Sequence, residues 1–133
     1  MLYEKVKFNQ HLNEFGNLVA IENNKEIPFE IKRIYYVIPS KSNVVRGKHA
    51  HKKLQQVAIC VSGSCDFMFD DGKNKETVRL SQPNEGVLIK DMIWHEFSNF
   101  SKDCLVLVLA SDFYTEDDYI RNYSDFLNLI SNK

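Results

Sequence analysis

Cross-links, membrane spans and a dominant charge are all missing from this chain. Its 133 residues include only three cysteines, Cys60, Cys65 and Cys104. An odd count at scattered spacing fits neither a disulfide framework nor a zinc knuckle. Each lies in or beside an apolar run, so each reads as a small buried hydrophobe, and unpaired thiols suit a reducing compartment. No apolar run approaches the roughly 20 residues needed to cross a bilayer. The opening Met1-Leu2-Tyr3-Glu4-Lys5-Val6 lacks the apolar stretch of a signal peptide, so the expected location is the cytoplasm. The net charge is -1, from 17 Lys and Arg against 18 Asp and Glu. That total offers nothing to nucleic acid or to an anionic membrane. A local basic stretch, Lys32, Arg33, Arg46, Lys48, Lys52 and Lys53, leaves room for a phosphate ligand. No repeat, linker or low-complexity tract interrupts the chain, which reads as one domain over 1–133.

What the chain does have is a series of short β-branched and aromatic runs broken by turn residues. Strands are expected at 18–21, 29–38, 44–51, 54–61, 65–69, 76–80, 86–89, 93–97 and 104–110. Asp70-Asp71-Gly72 between two of them marks a hairpin. Gly47, inside the 44–51 run, suggests a bulge or a close backbone approach. So many short strands at this spacing mean a sandwich or barrel. The last quarter changes period. Tyr119, Ile120, Tyr123, Phe126, Leu127 and Ile130 recur at helical spacing, so a helical segment, capped by Thr115 or Ser124, packs on the β-core.

Two of the four histidines fall together in Val45-Arg46-Gly47-Lys48-His49-Ala50-His51-Lys52. On a strand, a spacing of two puts His49 and His51 on one face. Imidazole suits both metal ligation and proton transfer near neutral pH. His-x-His in an all-β chain is similar to the first motif of the cupin jelly rolls, Gly-x5-His-x-His-x3-4-Glu-x6-Gly. The spacing continues here to Gln56 and Gly63, but with glutamine in place of glutamate. His95 and Asn99 match the end of the second cupin motif. A neutral amide contributes far less to a divalent ion than a carboxylate does. His49, His51 and His95 could still hold a metal by themselves, so a metal-dependent cupin enzyme stays open as an alternative. A non-catalytic sugar-nucleotide-binding cupin is the other.

Further segments make the resemblance specific. They are Gly16-x-Leu18-Val19-Ala20-Ile21-Glu22, Ile27-Pro28-Phe29-x-Ile31-Lys32-Arg33-x-Tyr35-Tyr36 and Arg46-Gly47-x-His49-Ala50-His51-Lys52-Lys53. Trp94-His95-Glu96, Leu109-Ala110-Ser111-Asp112-x-Tyr114 and Asp118-Tyr119-Ile120-Arg121-x-Tyr123 follow. From about residue 16 almost to its end the chain resembles the dTDP-sugar 3,4-ketoisomerases. The resemblance implies an all-β cupin jelly roll with a short C-terminal helical segment, acting without cofactor or metal on dTDP-4-keto-6-deoxy-D-glucose. It implies a homodimer, often with N-terminal strand exchange. It also implies a product that feeds a pyridoxal-phosphate aminotransferase making 3-amino-3,6-dideoxy sugars for surface glycans. Similar proteins often carry arginine where this chain has Phe15, which alters an expected nucleotide contact.

Moving a ketone from C4 to C3 requires a base at C3, stabilisation of an enediolate, and an acid at C4. His49 is expected as the base and His51 as its proton-transfer partner; the roles are interchangeable from sequence. Arg46 is expected to lower the histidine pKa and to bind enediolate or pyrophosphate. Arg33 and Tyr35 alternate on one strand face, Arg33 for pyrophosphate and Tyr35 as a hydrogen-bond donor. His95 is expected to line the pocket opposite the pair. Trp94 reads as core or as a pocket wall, Lys52 and Lys53 as solvated. Asp112 and Asp118 read as turn and cap residues, not catalytic acids.

Overall fold

In the computed structural model, which describes residues 1–132, the expected strands appear with three that the sequence did not announce. The order is β1 (Glu4–Lys7), β2 (Gln10–Asn13), β3 (Gly16–Val19), β4 (Arg33–Val37), β5 (Arg46–His51) and β6 (Gln56–Ser62). Then come β7 (Cys65–Asp70), β8 (Lys75–Leu80), β9 (Glu85–Ile89), β10 (Trp94–Ser98) and β11 (Leu105–Ala110). A single 3-10 turn, Glu116–Asp118, leads into β12 (Tyr119–Ile120) and α1 (Tyr123–Ser131). One sheet has the order β1-β9-β6-β11-β4 and the other β12-β5-β10-β7-β8, with β2-β3 as a separate hairpin. Without the flanking β1 and β12, each sheet keeps four antiparallel strands, and apart from the β7–β8 hairpin the neighbours are not consecutive in sequence. That is the jelly roll, two Greek keys folded face to face.

Alternation along the strands explains the layers. On β11, Val106 and Val108 point between the sheets, against Phe67, Phe69 and Val87. Leu107 and Leu109 point outward instead, onto Val57 and Ile59 of β6. Residues 20–32 cover this outward face with Ile21, Ile27, Phe29 and Ile31. This is why the expected strand over 29–38 shrinks to Arg33–Val37: its first residues are a lid on the sheet, not part of it. Full burial of each large apolar side chain is worth about 2 kcal/mol. On the other sheet's outward face, Ala50, Trp94, Ile120 and Phe126 form a third cluster under α1.

The C-terminal reading needs correction. Tyr119 and Ile120 belong to β12, paired with His51 and Ala50 of β5. The helix starts only at Tyr123, and its cap is Asn122, whose side chain accepts from the Asp125 amide at 3.1 Å. Ser124 lies inside the first turn, and Thr115, at the head of the 3-10 turn, makes no side-chain capping bond. The Asp70-Asp71-Gly72 hairpin forms as expected, with Gly72 at φ +94 and the Asp71 carboxylate accepting from the Lys73 and Asn74 amides.

Candidate active site

The site begins with a backbone irregularity. Strand β5 pairs with β10 in the register His95↔His49 and Glu96↔Gly47, which leaves Lys48 as an extra residue at φ +58. Gly47 sits at φ +84, and a Cβ there would approach the His95 carbonyl oxygen to 3.0 Å. Glycine is therefore needed twice over, for the dihedral and for the clearance. The bulge brings the Gly47 carbonyl to the His49 ring, 3.0 Å from Nδ1.

A carbonyl can only accept, so Nδ1 of His49 carries the proton and Nε2 keeps its lone pair. The same logic fixes His95, whose Nδ1 faces the Ile93 carbonyl at 3.2 Å. His51 Nδ1 faces a carboxylate instead, Oδ2 of Asp118 at 3.2 Å. Asp118 is itself fixed by the backbone amides of Lys53 (2.9 Å) and Leu54 (3.3 Å). Nε2 of His51 is buried without a hydrogen-bond partner. The three rings pack edge to face or stacked, with centroids 4.7 to 5.9 Å apart. Tyr119 closes the group at 5.0 Å from His49 and 4.4 Å from His51.

All three imidazoles are neutral near pH 7. Burial lowers His49 to about 4, and the Arg121 guanidinium pushes in the same direction. Burial, then the neighbouring His49, lowers His51 to about 4. His95, fully enclosed, is held well below its ordinary value by burial. A neutral imidazole with a free Nε2 can accept a proton. Arg46, expected to act on the histidine, acts on Tyr35 instead. The cation acting on His49 is Arg121, which also lies over the Tyr119 ring at 4.2 Å.

His49 opens onto a cavity of about 440 Å³ with Arg33, Tyr35, Arg46, Tyr119 and Arg121 on its walls. Arg33 Nε is buried with no hydrogen-bond partner, and among the described residues neither Arg33 nor Arg46 has a carboxylate partner. The hydroxyl oxygen of Tyr35 accepts from Gln56 Nε2 at 2.8 Å, so its own proton is free for another acceptor. Burial pushes that phenol up to about 12, so it donates without ionising. Arg33 and Tyr119 also border a second cavity of about 430 Å³, lined by Lys52, Lys53 and Ser111. The two exposed lysines are thus solvated, as expected, yet flank an opening.

The structure therefore gathers His49, Arg33, Tyr35 and Arg46 around one space, as the sequence suggested. It moves His51 and His95, each 1 % exposed, into a layer behind His49. His95 backs His49 and does not face the pair across the pocket. Trp94 is core, packed on Tyr123 and Phe126. Asp118 is more than a turn residue, because it holds the His51 ring. Tyr119, read as part of a helical stripe, and Arg121 were not expected in the site. The signal available was their alternate spacing, 119 and 121, which puts both on one face of a strand. Phe15, at the tip of the β2–β3 hairpin and 90 % exposed, lines neither cavity.

One ring nitrogen from each of the three histidines lies within 4.8 Å of the others. A divalent ion there would meet three neutral nitrogens and no oxyanion. Gln56 occupies the glutamate position of the cupin motif, and its amide is committed to Tyr35. Of the nearby carboxylates, Asp118 is committed to His51 and two amides and Glu116 to Arg121 and Tyr114. The donor set thus lacks the anionic ligand that would match a divalent charge, and no step below runs through a metal.

Comparison with known proteins agrees with this geometry. Residues 2–131 match the family model described as FdtA, WxcM-like, C-terminal. The chain is 47% identical over 126 residues to the TDP-4-oxo-6-deoxy-alpha-D-glucose-3,4-oxoisomerase of Aneurinibacillus thermoaerophilus, covering 95% of this chain and 91% of that one. A 3,4-ketoisomerase from Helicobacter canadensis superposes with a TM-score of 0.94 at 47% identity, covering 98% of each chain. A histidine-to-asparagine variant of the 3,4-ketoisomerase QdtA from Thermoanaerobacterium thermosaccharolyticum, in complex with TDP-4-keto-6-deoxyglucose, gives 0.96 at 36% identity, covering 99% of this chain and 96% of that one.

Proposed function

This chain belongs to the WxcM-like FdtA family, and from that premise we propose that it is a TDP-sugar 3,4-ketoisomerase acting on TDP-4-keto-6-deoxyglucose. The observation that carries the reading is His49, a neutral imidazole with a free Nε2 in a cavity walled by three arginines. His49 Nε2 removes the proton at C3, which the neighbouring C4 ketone acidifies. The electron pair left at C3 forms the C3–C4 double bond, and the C4 oxygen takes the negative charge. Tyr35, donating its free proton, and the guanidinium groups hold that enediolate. Collapse then delivers a proton to C4 while the C3 hydroxyl gives one up. The ketone has moved one carbon, with no net loss or gain of electrons. His51, held by Asp118 behind His49, is the proton-transfer partner. His95 fixes the other side of the His49 ring, a supporting role in place of the expected wall contact.

Arg33 and Arg46, without carboxylate partners of their own, bind the diphosphate, for which guanidinium forks are well shaped. Its arrival raises the His49 pKa toward neutrality, since negative charge beside an imidazole favours its protonated form. We read the whole chain as one cupin domain that works as a homodimer in the cytoplasm. Exposed Ile34, Tyr36 and Ile38 at edge strand β4, and Leu12, Phe15 and Leu18 on the β2–β3 hairpin, supply apolar surface for a second copy.

Incubating chelator-treated protein with TDP-4-keto-6-deoxyglucose in D2O tests the reading by NMR. The expected result is a 3-keto product with deuterium at C4 and exchange at C3. A substrate recovered unlabelled, bound or not, overturns it in favour of a binding module. The metal-dependent alternative uses the same three ring nitrogens. It is supported only if the isolated protein carries stoichiometric metal and chelation abolishes turnover.

A further inference from the structure

The three cysteines, read from sequence as scattered small hydrophobes, converge. Cys60 near the end of β6, Cys65 at the start of β7 and Cys104 just before β11 bring their sulfurs within 4.8 Å of one another. The Cys60–Cys65 separation is 3.3 Å and Cys60–Cys104 4.0 Å. All three are free thiols, at most 4 % exposed, in the apolar cluster that includes Leu80, Phe100 and Val106. The active site makes no use of them.

We propose that Cys60, Cys65 and Cys104 form a three-sulfur binding site for a trivalent metalloid, taken up as arsenite. Geometry and charge lead to the same ligand. A tetrahedral centre with metal–sulfur bonds of about 2.3 Å spaces its sulfurs about 3.8 Å apart. A pyramidal centre, with a lone pair at its apex, draws them closer. The separations of 3.3 and 4.0 Å bracket that range, so small side-chain rotations suffice. A divalent ion on three thiolates would leave a net negative charge in an apolar core, at a cost of several kcal/mol. The guanidinium of Arg79, on the neighbouring strand, is already engaged by Asp66, Ser64 and the Asn99 carbonyl. A trivalent centre on three thiolates is neutral. The reaction balances as As(OH)3 plus three thiols giving As(SR)3 plus three waters, with no change of oxidation state. Burial pushes the Cys104 thiol up to about 11, whereas the hydrogen bond from Cys65 lowers Cys60.

Access runs through two loops at this end of the sandwich. Residues 62–64 and 101–103 clasp each other through Ser101 N to Ser64 O and Ser64 N to Ser101 Oγ, both 2.9 Å. Gly63, at φ +70, packs so close that a Cβ would lie 2.9 Å from Cys104 Cα. Local opening of this clasp is the route that entry of the ligand requires. Because β6 and β11 lie in one sheet and β7 in the other, the bound centre ties the two layers together.

Titrating arsenite into the native reduced chain, followed by native mass spectrometry and thermal unfolding, tests the site. We expect one arsenic per chain with the loss of three hydrogens. Unfolding should rise by roughly 5–10 °C at a hundredfold excess over Kd. Cys104→Ala should weaken binding more than about 10-fold and leave an adduct that has lost fewer thiol hydrogens. Ketoisomerase turnover of the unliganded variant should match that of the parent chain. No adduct on the native chain, an adduct only after denaturation, or a Cys104→Ala variant with parental affinity overturns the proposal. The mass reading on the parent chain needs no variant to fold.

Discussion

Replacing Asp118 by asparagine changes a single atom and tests whether His51 takes part in proton transfer. The carboxylate accepts from three donors: His51 Nδ1 (3.2 Å) and the Leu54 amide (3.3 Å) at Oδ2, and the Lys53 amide (2.9 Å) at Oδ1. The carboxamide has one acceptor. With its oxygen on the stronger Lys53 bond, its NH2 replaces Oδ2 and donates to His51. The ring must then move its proton to Nε2, and the lone pair that faced the other two histidines is lost. The Leu54 amide, on a buried residue, loses its acceptor, which costs about 1–2 kcal/mol. Stability should therefore fall modestly, while kcat falls about 10²–10⁴-fold, the usual weight of a positioned acid or base. Nitrogen NMR of the histidine side chains reports the tautomer, and calorimetry with TDP separates binding from turnover. A variant with the switched His51 tautomer and a kcat within threefold of the parent would refute the reasoning.

His49→Asn should lower kcat by about 10²–10⁴-fold and leave TDP affinity within about threefold; a comparable loss of affinity would contradict the assignment. Since His49 titrates near 4 in the free protein, log kcat/KM should be level from about pH 6 to 9 and fall below about pH 5. Arg121→Gln removes a cation that lowers this pKa, so the acid limb should move upward, and a limb that stays put would count against the Arg121 contact. The unfolded chain takes up a proton at His51 near 6.5 that the folded chain resists down to about 4. Stability should therefore be whole above pH 6.5 and fall as the pH drops toward 4, by about 3 kcal/mol from this one ring; identical urea midpoints at pH 7 and 4.5 would refute it. Gly47→Ala should cost about 1–3 kcal/mol, from a positive φ and a Cβ 3.0 Å from the His95 carbonyl. Calorimetry showing a neutral change would mean that the bulge is soft.

The inner strands were legible because they are short apolar runs bounded by turn residues. Residues 104–110 are apolar at every position, as a strand covered on both faces requires, and residues 65–69 are apolar except at Asp66; both became strands with only their end residues shifted. Glu4–Lys7 and Gln10–Asn13 were illegible for the opposite reason, being short, charged or exposed, with nothing inherent to mark them as strands. Tyr119 and Ile120 were read as helix because their spacing to Tyr123 and Phe126 fits either period over so short a window. Only pairing with His51 and Ala50 decides for strand. In the site, a two-residue period put Arg33 with Tyr35 and His49 with His51, because that period on a strand fixes a face; Arg46, three residues before His49, reaches the same cavity through the bulge. Depth within that face was not encoded. His49 reaches the cavity and His51 does not because the bulge at Gly47 and Lys48 displaces part of β5, and the register against β10 is a tertiary fact. Asp118 lies 67 residues from His51, beyond any local pattern.

Gln56 connects the fold to the proposed chemistry. A glutamate here would place a negative charge on the inner face of β6, where it could join the imidazoles in holding a cation. The amide instead gives a proton to the Tyr35 oxygen, which leaves the phenol's own proton directed elsewhere and its ionisation suppressed by burial. The positive charge that an enediolate demands is then supplied by Arg33, Arg46 and Arg121 at the mouth, where it also meets the diphosphate. The same guanidinium groups that recruit the substrate therefore bear on the charge that develops at the sugar. On this argument Gln56→Glu should do more than add a ligand. The carboxylate competes for the Tyr35 proton and repels the enediolate, so turnover should fall even with metal excluded, and adding metal back should not restore it. Full activity of a chelated Gln56→Glu variant would show that Tyr35 is not the donor that the mechanism requires.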